Sequence, residues 1–330
     1  SEIQRQVVGR TLLRAPDQRW DTAYGPEHIA ARGRPAVDAP DLVGACLALA
    51  ERSRCAGAAA FVDVADATVR WTLRLAGHGG TRQRVTEDVE SAPLSAASRG
   101  IVAARAAGGT VAADVRASSR EHTGPKMGAG RATYGMPGQL AINAAQAELL
   151  LAQGRLLAKP EWSAETLPPR VMAPEVPLGR IVISGEGHTV DSSQLEHLAR
   201  LFNAAAACGL AEAALDEALA AGRTHADDSR QLTEFKLADM RTRVDGARML
   251  THKAAVWLGV GAPEATQACR EARIFAAEAA VFCAEQAMAI GPGWGSIRLQ
   301  GLARDCHLPA ALDQSLGDER LELAQALLAG

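Results

Sequence analysis

The residues most suggestive of ligand binding form a short run near the end of the chain, Gly291-Pro292-Gly293-Trp294-Gly295. Glycines at similar spacing occur in the loops that hold dinucleotide phosphates, but such a loop follows a strand and opens a helix. Here apolar residues at helical spacing continue up to Ile290, so a dinucleotide-binding fold is excluded. The run is better interpreted as a helix C-cap and a tight turn, against which a ligand could still lie.

Other common catalytic and metal-binding patterns are missing from the sequence. The eight histidines show no His-x-x-x-His or Glu-x-x-His spacing, so no metal site is predicted. The six cysteines include no Cys-x-x-Cys pair, and we expect them to be reduced, in a cytoplasmic protein. Hydrolases and kinases lack support, because neither a Gly-x-Ser-x-Gly elbow nor a phosphate-binding P-loop is present.

The chain has 330 residues and is rich in small apolar side chains, and its fold must position the glycine-rich run. Hydrophobic residues make up 48% of it but aromatic residues only 4%, a composition that favours closely packed helices. The net charge is −3, without any block of like charge, which argues against a nucleic-acid partner. No apolar run approaches the roughly 18 residues that a membrane span requires.

Four segments in the C-terminal part of the chain carry apolar residues at every third or fourth position. They are Gln194–Ala221, Gln231–Leu258, Pro263–Ile290 and, more briefly, Asp318–Leu328. Each pattern places one apolar stripe along a helix. Long helices joined by short polar links are typical of an antiparallel four-helix bundle.

The preceding residues divide into two units with different predicted secondary structure. Residues 1–92 are predicted to be helical, with the best segments at Asp41–Ser53 and Asp66–Leu75. Residues 93–186 are predicted to form a small β domain, with β-prone runs at Ile101–Arg105, Gly109–Arg116 and Gly179–Ser184. Within it, Gln139–Lys159 could form a helix, or a hairpin that turns at Gln153–Gly154. The predicted fold is therefore mostly α with a small β middle domain, and it ends in the bundle at 187–330.

Several motifs, together with this domain order, resemble the acyl-CoA dehydrogenase superfamily. Lys236–Met240 and Ala247–Leu250 are similar to its second bundle helix, Ala287–Gly295 to its Gln-x-x-Gly-Gly-x-Gly turn, and Arg304-Asp305 to its Arg-Asp pair. Ser91–Ser98 is similar to the Thr-Glu-Pro…Gly-Ser-Asp loop, and Asn143 with Gln146–Glu148 to the Trp-Ile-Thr-Asn…Ala-Asp stretch. The resemblance implies the acyl-CoA dehydrogenase fold.

The resemblance also implies a reaction. Members bind FAD between the β domain and the bundle, and desaturate an acyl thioester, bound to CoA or to a carrier protein, between its α and β carbons. A carboxylate takes the α proton while the β hydrogen leaves as hydride to the flavin. The family's base corresponds to Asp313. The alternative base position corresponds to Ala199, beside Arg200, which would orient the substrate.

Cofactor-binding residues and partners follow from the same resemblance. The positions expected to bind FAD are Arg223, Ser98, Asn143, Gly293, Trp294 and Gly295. Flavin binding is nevertheless in doubt, because Leu140 and Ile142 replace the Trp and Thr that contact the ring, and Ala289 replaces the Gln of the turn. The expected partners are the acyl thioester and further subunits, in a homo-oligomer or in a hetero-oligomer with a related dehydrogenase.

Simpler interpretations of the charged residues stay open at this point. Asp313 could be a turn or helix-cap residue. Arg200 could form an ordinary ion pair with Glu196, and Arg223 could pair with the nearby Asp227 and Asp228.

Three functions are compatible with these observations. The chain is predicted first to be a flavoprotein that desaturates acyl thioesters, alone or as one subunit of a heteromeric dehydrogenase; alternatively it is a non-catalytic subunit that completes such an assembly. It could also reuse the fold for non-redox chemistry without flavin.

Overall fold

Helices dominate the structure, and two small sheets lie in the chain between an N-terminal helical unit and a C-terminal bundle. The computed structural model describes residues 35–77, 131–135, 140–159, 161–166, 176–224, 230–291, 296–312 and 315–329. The predicted fold class, mostly α with a small β middle domain, is confirmed. The β-prone runs Ile101–Arg105 and Gly109–Arg116 lie outside the described residues.

The described part of the N-terminal unit contains two α-helices joined by a short 3-10 turn at Gly57–Ala60: α1 (Leu42–Ala56) and α2 (Phe61–Gly77). Asp41 is the N-cap of α1, because its carboxylate accepts a hydrogen bond from the backbone N–H of Gly44 at 2.8 Å. Trp71 ties α2 to the preceding segment by donating its indole N–H to the Ala36 carbonyl at 3.0 Å.

The described part of the β unit contains seven short strands. They are β1 (Ala132–Tyr134), β2 (Leu140–Ile142), β3 (Leu149–Ala152), β4 (Arg155–Ala158), β5 (Trp162–Thr166), β6 (Leu178–Ile183) and β7 (His188–Thr189). One sheet has the order β1-β3-β4-β7, with β1 parallel to β3, and the antiparallel second sheet has the order β2-β6-β5. The two sheets share a core around the buried side chain of Trp162.

The hairpin alternative for Gln139–Lys159 is confirmed, and the helical alternative is wrong. β3 and β4 pair antiparallel, from Leu149 opposite Ala158 to Ala152 opposite Arg155. Gln153 and Gly154 have φ angles of 50° and 71°, as a two-residue turn between twisted strands requires. β7 continues the β unit to Thr189, slightly beyond the predicted boundary at residue 186.

The residues of the bundle that the structure describes form four helices close to the predicted ones and two short helices that the sequence did not indicate. They are α3 (Leu195–Gly222), α4 (Arg230–Val260), α5 (Ala265–Ile290), α6 (Ile297–Asp305), α7 (Leu308–Ala311) and α8 (Leu316–Ala329). The three long helices pack against one another, and α8 lies against α5. α1 also packs on α3, so closely that a Cβ on Gly209 would stand 2.0 Å from the Ala50 carbonyl oxygen.

Small side chains form much of the bundle core. On α5 the fully buried face consists mainly of alanines and cysteines, whereas Ile274 and Val281 of the predicted stripe are half-buried at its edge. Small residues let helix backbones approach closely, so the larger side chains are displaced to the margins. Among the described helices, α3 alone has the length and apolar composition of a membrane span, and 94% of its most apolar stretch is buried inside the molecule.

Candidate active site

Three of the eight predicted site residues lie within the described part of the chain: Arg200, Asn143 and Arg223. The other five, Asp313, Ser98, Gly293, Trp294 and Gly295, lie outside the described residues. Their neighbours are nevertheless informative, since α5 ends at Ile290 immediately before the glycine-rich run, as predicted.

The chain is held on both sides of Asp313. On the N-terminal side, the Leu312 carbonyl accepts a hydrogen bond from Nη2 of Arg273. On the C-terminal side, the Ser315 hydroxyl accepts a hydrogen bond from the backbone N–H of Asp318 at 3.2 Å and donates to the Asp318 carboxylate at 2.7 Å. These contacts fix the end of α7 and the beginning of α8.

Arg200 is buried in the bundle and contacts two glutamates. Its Nε donates to Oε1 of Glu319 at 2.8 Å, and its Nη1 lies 3.4 Å from Oε2 of Glu196. The pairing with Glu196 is present as the simpler interpretation anticipated, but Glu196 is mostly exposed whereas Glu319 is buried. Part of the guanidinium that was predicted to orient a substrate is therefore engaged by protein carboxylates.

Glu319 also contacts a second buried arginine, Arg273 of α5. Nη1 of Arg273 lies 2.5 Å from the same Oε1 of Glu319, and both side chains are 1% exposed. Arg200 of α3 and Arg273 of α5 thus meet at one carboxylate oxygen supplied by α8. Buried charges are tolerated only when they are paired, so this arrangement holds three helices in a defined relation.

The sequence analysis did not identify Glu319 or Arg273 as site residues, although the position of Arg273 in the apolar pattern of α5 was unusual. It occupies the same face of α5 as the buried residues Cys269 and Ala276, where a charge is unexpected on an otherwise apolar stripe. Glu319 gave no comparable signal, because acidic residues are common in the first turn of a helix.

His197 lies beside this cluster, one turn before Arg200 on α3. Burial lowers the pKa of His197 below its usual value of 6.5, and the positive charges of Arg200 and Arg270 lower that pKa further, against the opposing effect of Glu196. The imidazole is therefore neutral near pH 7. Its Nε2 lies 3.4 Å from Oγ1 of Thr266.

Arg223 lies at the C-terminal end of α3 with its side chain exposed. Asp227 and Asp228, its possible ion-pair partners, lie outside the described residues. An exposed guanidinium at this point can bind an anionic group carried by another molecule.

The positions that would contact a flavin ring lie at strand β2 and the turn after it. Ile142 is buried and belongs to the large apolar core. Asn143 has a φ of 59° and no exposed surface, and neither polar atom of its side chain has a hydrogen-bond partner. A residue that contacts a ligand is accessible when the ligand is absent, so Ile142 and Asn143 offer no surface to a flavin in this conformation.

In this conformation Ile142 and Asn143 therefore do not fit a flavin ring held against β2 by their side chains. Ala289, at the family's Gln position, is exposed but has no hydrogen-bonding side chain. Nor do the described His, Cys, Asp and Glu side chains form any group of three or more that could hold a metal ion.

Comparisons with known proteins bear on the bundle and on the overall fold. Residues 185–309 match the family model described as acyl-CoA dehydrogenase, C-terminal domain. The 3-(aryl)acrylate reductase of Clostridium sporogenes is 31% identical over 137 residues, which are 39% of this chain and 36% of that protein. The probable acyl-CoA dehydrogenase YngJ of Bacillus subtilis is 35% identical over 137 residues, again 39% of this chain and 36% of that protein. The chain thus matches little more than a third of the length of these curated relatives.

Among solved structures, butyryl-CoA dehydrogenase from Megasphaera elsdenii superposes with a TM-score of 0.64. The superposition covers 99% of this chain and 98% of that one, at 15% sequence identity. At such low identity the likeness establishes the fold, which extends beyond the segment recognised by sequence.

Proposed function

We propose that this chain, whose residues 185–309 match the acyl-CoA dehydrogenase C-terminal domain, is one subunit of a heteromeric dehydrogenase that desaturates an acyl thioester. The thioester is carried by CoA or by a carrier protein. In this assembly a related dehydrogenase subunit provides the flavin contacts that the buried side chains of Ile142 and Asn143 do not offer. Members of the family are FAD-dependent, and the flavin when bound accepts the β hydrogen as hydride.

The observation that carries this proposal is the burial at β2. Asn143 is fully buried and Ile142 is apolar and buried, so no polar side chain of these two positions is available to a flavin ring. The bundle, in contrast, matches the family over residues 185–309. A retained bundle beside a closed flavin position favours a subunit that completes an assembly over an independent flavoenzyme.

Features of the surface support the association with other subunits. Three large apolar side chains of α4 are exposed: Leu232, Met249 and Val256. Single exposed apolar side chains are common, but Met249 and Val256 lie seven residues apart on one face of α4, where a partner can pack. The exposed Arg223 could reach a cofactor phosphate held by the neighbouring subunit.

Within this assembly we assign Asp313 the removal of the α proton, as the family resemblance implies. A carboxylate is suited to this step if it is shielded from water, since its basicity rises with desolvation. We place the assembly in the cytoplasm, because all six cysteines are free thiols.

The proposal is tested by assaying acyl-thioester desaturation with the chain alone, with a related flavin-containing dehydrogenase subunit of the same source alone, and with both together. Turnover in the mixture is expected to be at least tenfold faster than with either protein alone. A tenfold increase corresponds to a decrease of about 1.4 kcal/mol in the activation free energy. Asp313→Asn should abolish that gain, whereas the matched surface control Asp216→Asn should retain it. No gain in the mixture would refute the proposed function, and full activity of Asp313→Asn would remove Asp313 from the mechanism.

A further inference from the structure

A cluster of three buried charged residues joins α8 to the bundle, and the sequence resemblance assigns no role to two of them. These are Glu319 and Arg273, with Arg200 as the third member. From these contacts we infer that Glu319 and Arg273 are positioning residues, which fix the beginning of α8 and the end of α7 against α3 and α5.

The first support is geometrical. Arg273 contacts both ends of the connection, because its Nη1 pairs with Glu319 in the first turn of α8 and its Nη2 donates to the Leu312 carbonyl at the end of α7. Only six residues separate Leu312 and Glu319 in sequence. A single guanidinium therefore holds the chain at two points, one on each side of the segment.

The second support is burial. Glu319 and Arg273 are each 1% exposed, and the Arg200 side chain is 8% exposed. Removing one member of a buried ion cluster leaves an uncompensated charge, which is strongly destabilising. The first turn of α8 is therefore expected to keep its position unless the whole cluster is released.

A neighbouring ion pair provides the matched control. Arg270 of α5 contacts Glu322 of α8, one turn away from Arg273 and Glu319 on the same two helices. Their side chains are 19% and 37% exposed, so the loss of one partner leaves a partly solvated charge, which costs less than a buried one. The two pairs share residue types and helices but differ in burial and in the contact with Leu312.

The experiment compares Glu319→Gln and Arg273→Lys with Glu322→Gln by native-state hydrogen exchange of the full chain, followed by mass spectrometry of peptides covering residues 308–329. We expect amide exchange in these peptides to accelerate about tenfold or more in the first two variants, because Glu319→Gln breaks the buried pair, whereas Arg273→Lys keeps the charge but loses the planar fork that contacts Glu319 and Leu312 together. Glu322→Gln should exchange like the unmodified chain. Equal exchange in Glu319→Gln, Arg273→Lys and Glu322→Gln would overturn the inference.

The consequence for catalysis rests on the proposed function and is measured separately. In the active mixture, Glu319→Gln and Arg273→Lys should lower kcat about tenfold with KM unchanged, because misplacement of a catalytic segment affects the chemical step more than binding. Accelerated exchange with unchanged kcat would refute the positioning role. If the mixture with the unmodified chain shows no turnover, the proposed function fails, whereas the exchange comparison still decides whether the cluster fixes α7 and α8.

Should Glu319→Gln fail to fold, Glu319→Ala with added acetate replaces it. The acetate ion can occupy the space between Arg200 and Arg273 that the missing carboxylate leaves. Restoration of folding and of slow exchange by acetate, but not by chloride at equal ionic strength, is expected. Absence of any such rescue would contradict the ionic role of Glu319.

Discussion

At the scale of single residues, the cysteines separate into one exposed side chain and five buried ones. Cys55 is exposed at the end of α1, whereas Cys46, Cys208, Cys269, Cys283 and Cys306 lie in the helical core. Burial raises the pKa of Cys208, Cys269 and Cys283 to about 12 and that of the other two well above the usual range. Because the thiolate is the reactive form, the buried thiols should be inert in the native protein.

We predict that a thiol reagent modifies one cysteine per native chain rapidly, and all six only after unfolding. The Cys55→Ser variant should show no rapid reaction in the native state. The measurement is the time course of thionitrobenzoate release at pH 8, with and without denaturant. Two or more rapidly reacting thiols in the native protein would contradict the described packing of the core.

The charged site residues show what a sequence can and cannot indicate at this scale. The contact of Arg200 with Glu196 was predictable, because residues four apart on a helix are neighbours. The contact of Arg200 with Glu319 joins residues 119 positions apart and depends on how α8 packs. Likewise, the full burial of Asn143 follows from the packing of the two sheets, which no local pattern encodes.

At the scale of secondary-structure elements, the junction between α1 and α2 is tied to the end of α6. Oδ2 of Asp305 accepts a hydrogen bond from the backbone N–H of Ala58 at 3.0 Å. Gly57 has a φ of 58°, and a Cβ at that position would lie 2.4 Å from the same carboxylate oxygen. The aspartate of the Arg-Asp pair is therefore a cap for the turn between the N-terminal helices, and the turn requires glycine.

We predict that Gly57→Ala lowers the free energy of unfolding by roughly 1–3 kcal/mol, from left-handed backbone strain and the clash with Asp305. The combination with Asp305→Ala should cost less than the sum of the two single changes, because the clash disappears with the carboxylate. Urea denaturation at neutral pH provides the measurement.

Gly259→Ala is the control, since no heavy atom lies within 4 Å of the added Cβ in the last turn of α4. It should leave stability unchanged or raise it by up to about 1 kcal/mol. Strict additivity of Gly57→Ala and Asp305→Ala would show that the two positions do not interact.

Most elements of the fold could be predicted from sequence, for identifiable reasons. The four bundle helices have long apolar periodicities, and their observed ends fall within about two residues of the predicted ones. The hairpin at Gln153–Gly154 stayed undecided, because Leu and Ala on both sides suit helix and strand alike. The short helices α6 and α7 were missed, since nine and four residues are too few to show a clear period.

At the scale of the whole molecule, the chain superposes over 99% of its length on a solved acyl-CoA dehydrogenase, while two residues at the predicted flavin position are buried. The ion cluster joins α8 to α3 and α5, and Ile142 and Asn143, at positions predicted to lie near a flavin, are buried. We propose that such a chain contributes to catalysis by completing a site with another subunit. The exposed apolar residues of α4 and the exposed Arg223 lie on surfaces available to such a partner.

The flavin content of the purified chain tests this account most directly. We predict that the chain purified alone is colourless, with no absorption band near ~450 nm, and that its complex with a related dehydrogenase subunit carries flavin in proportion to the partner only. Quantified flavin and protein concentrations give the ratio. One flavin bound per chain in the protein purified alone would contradict the account.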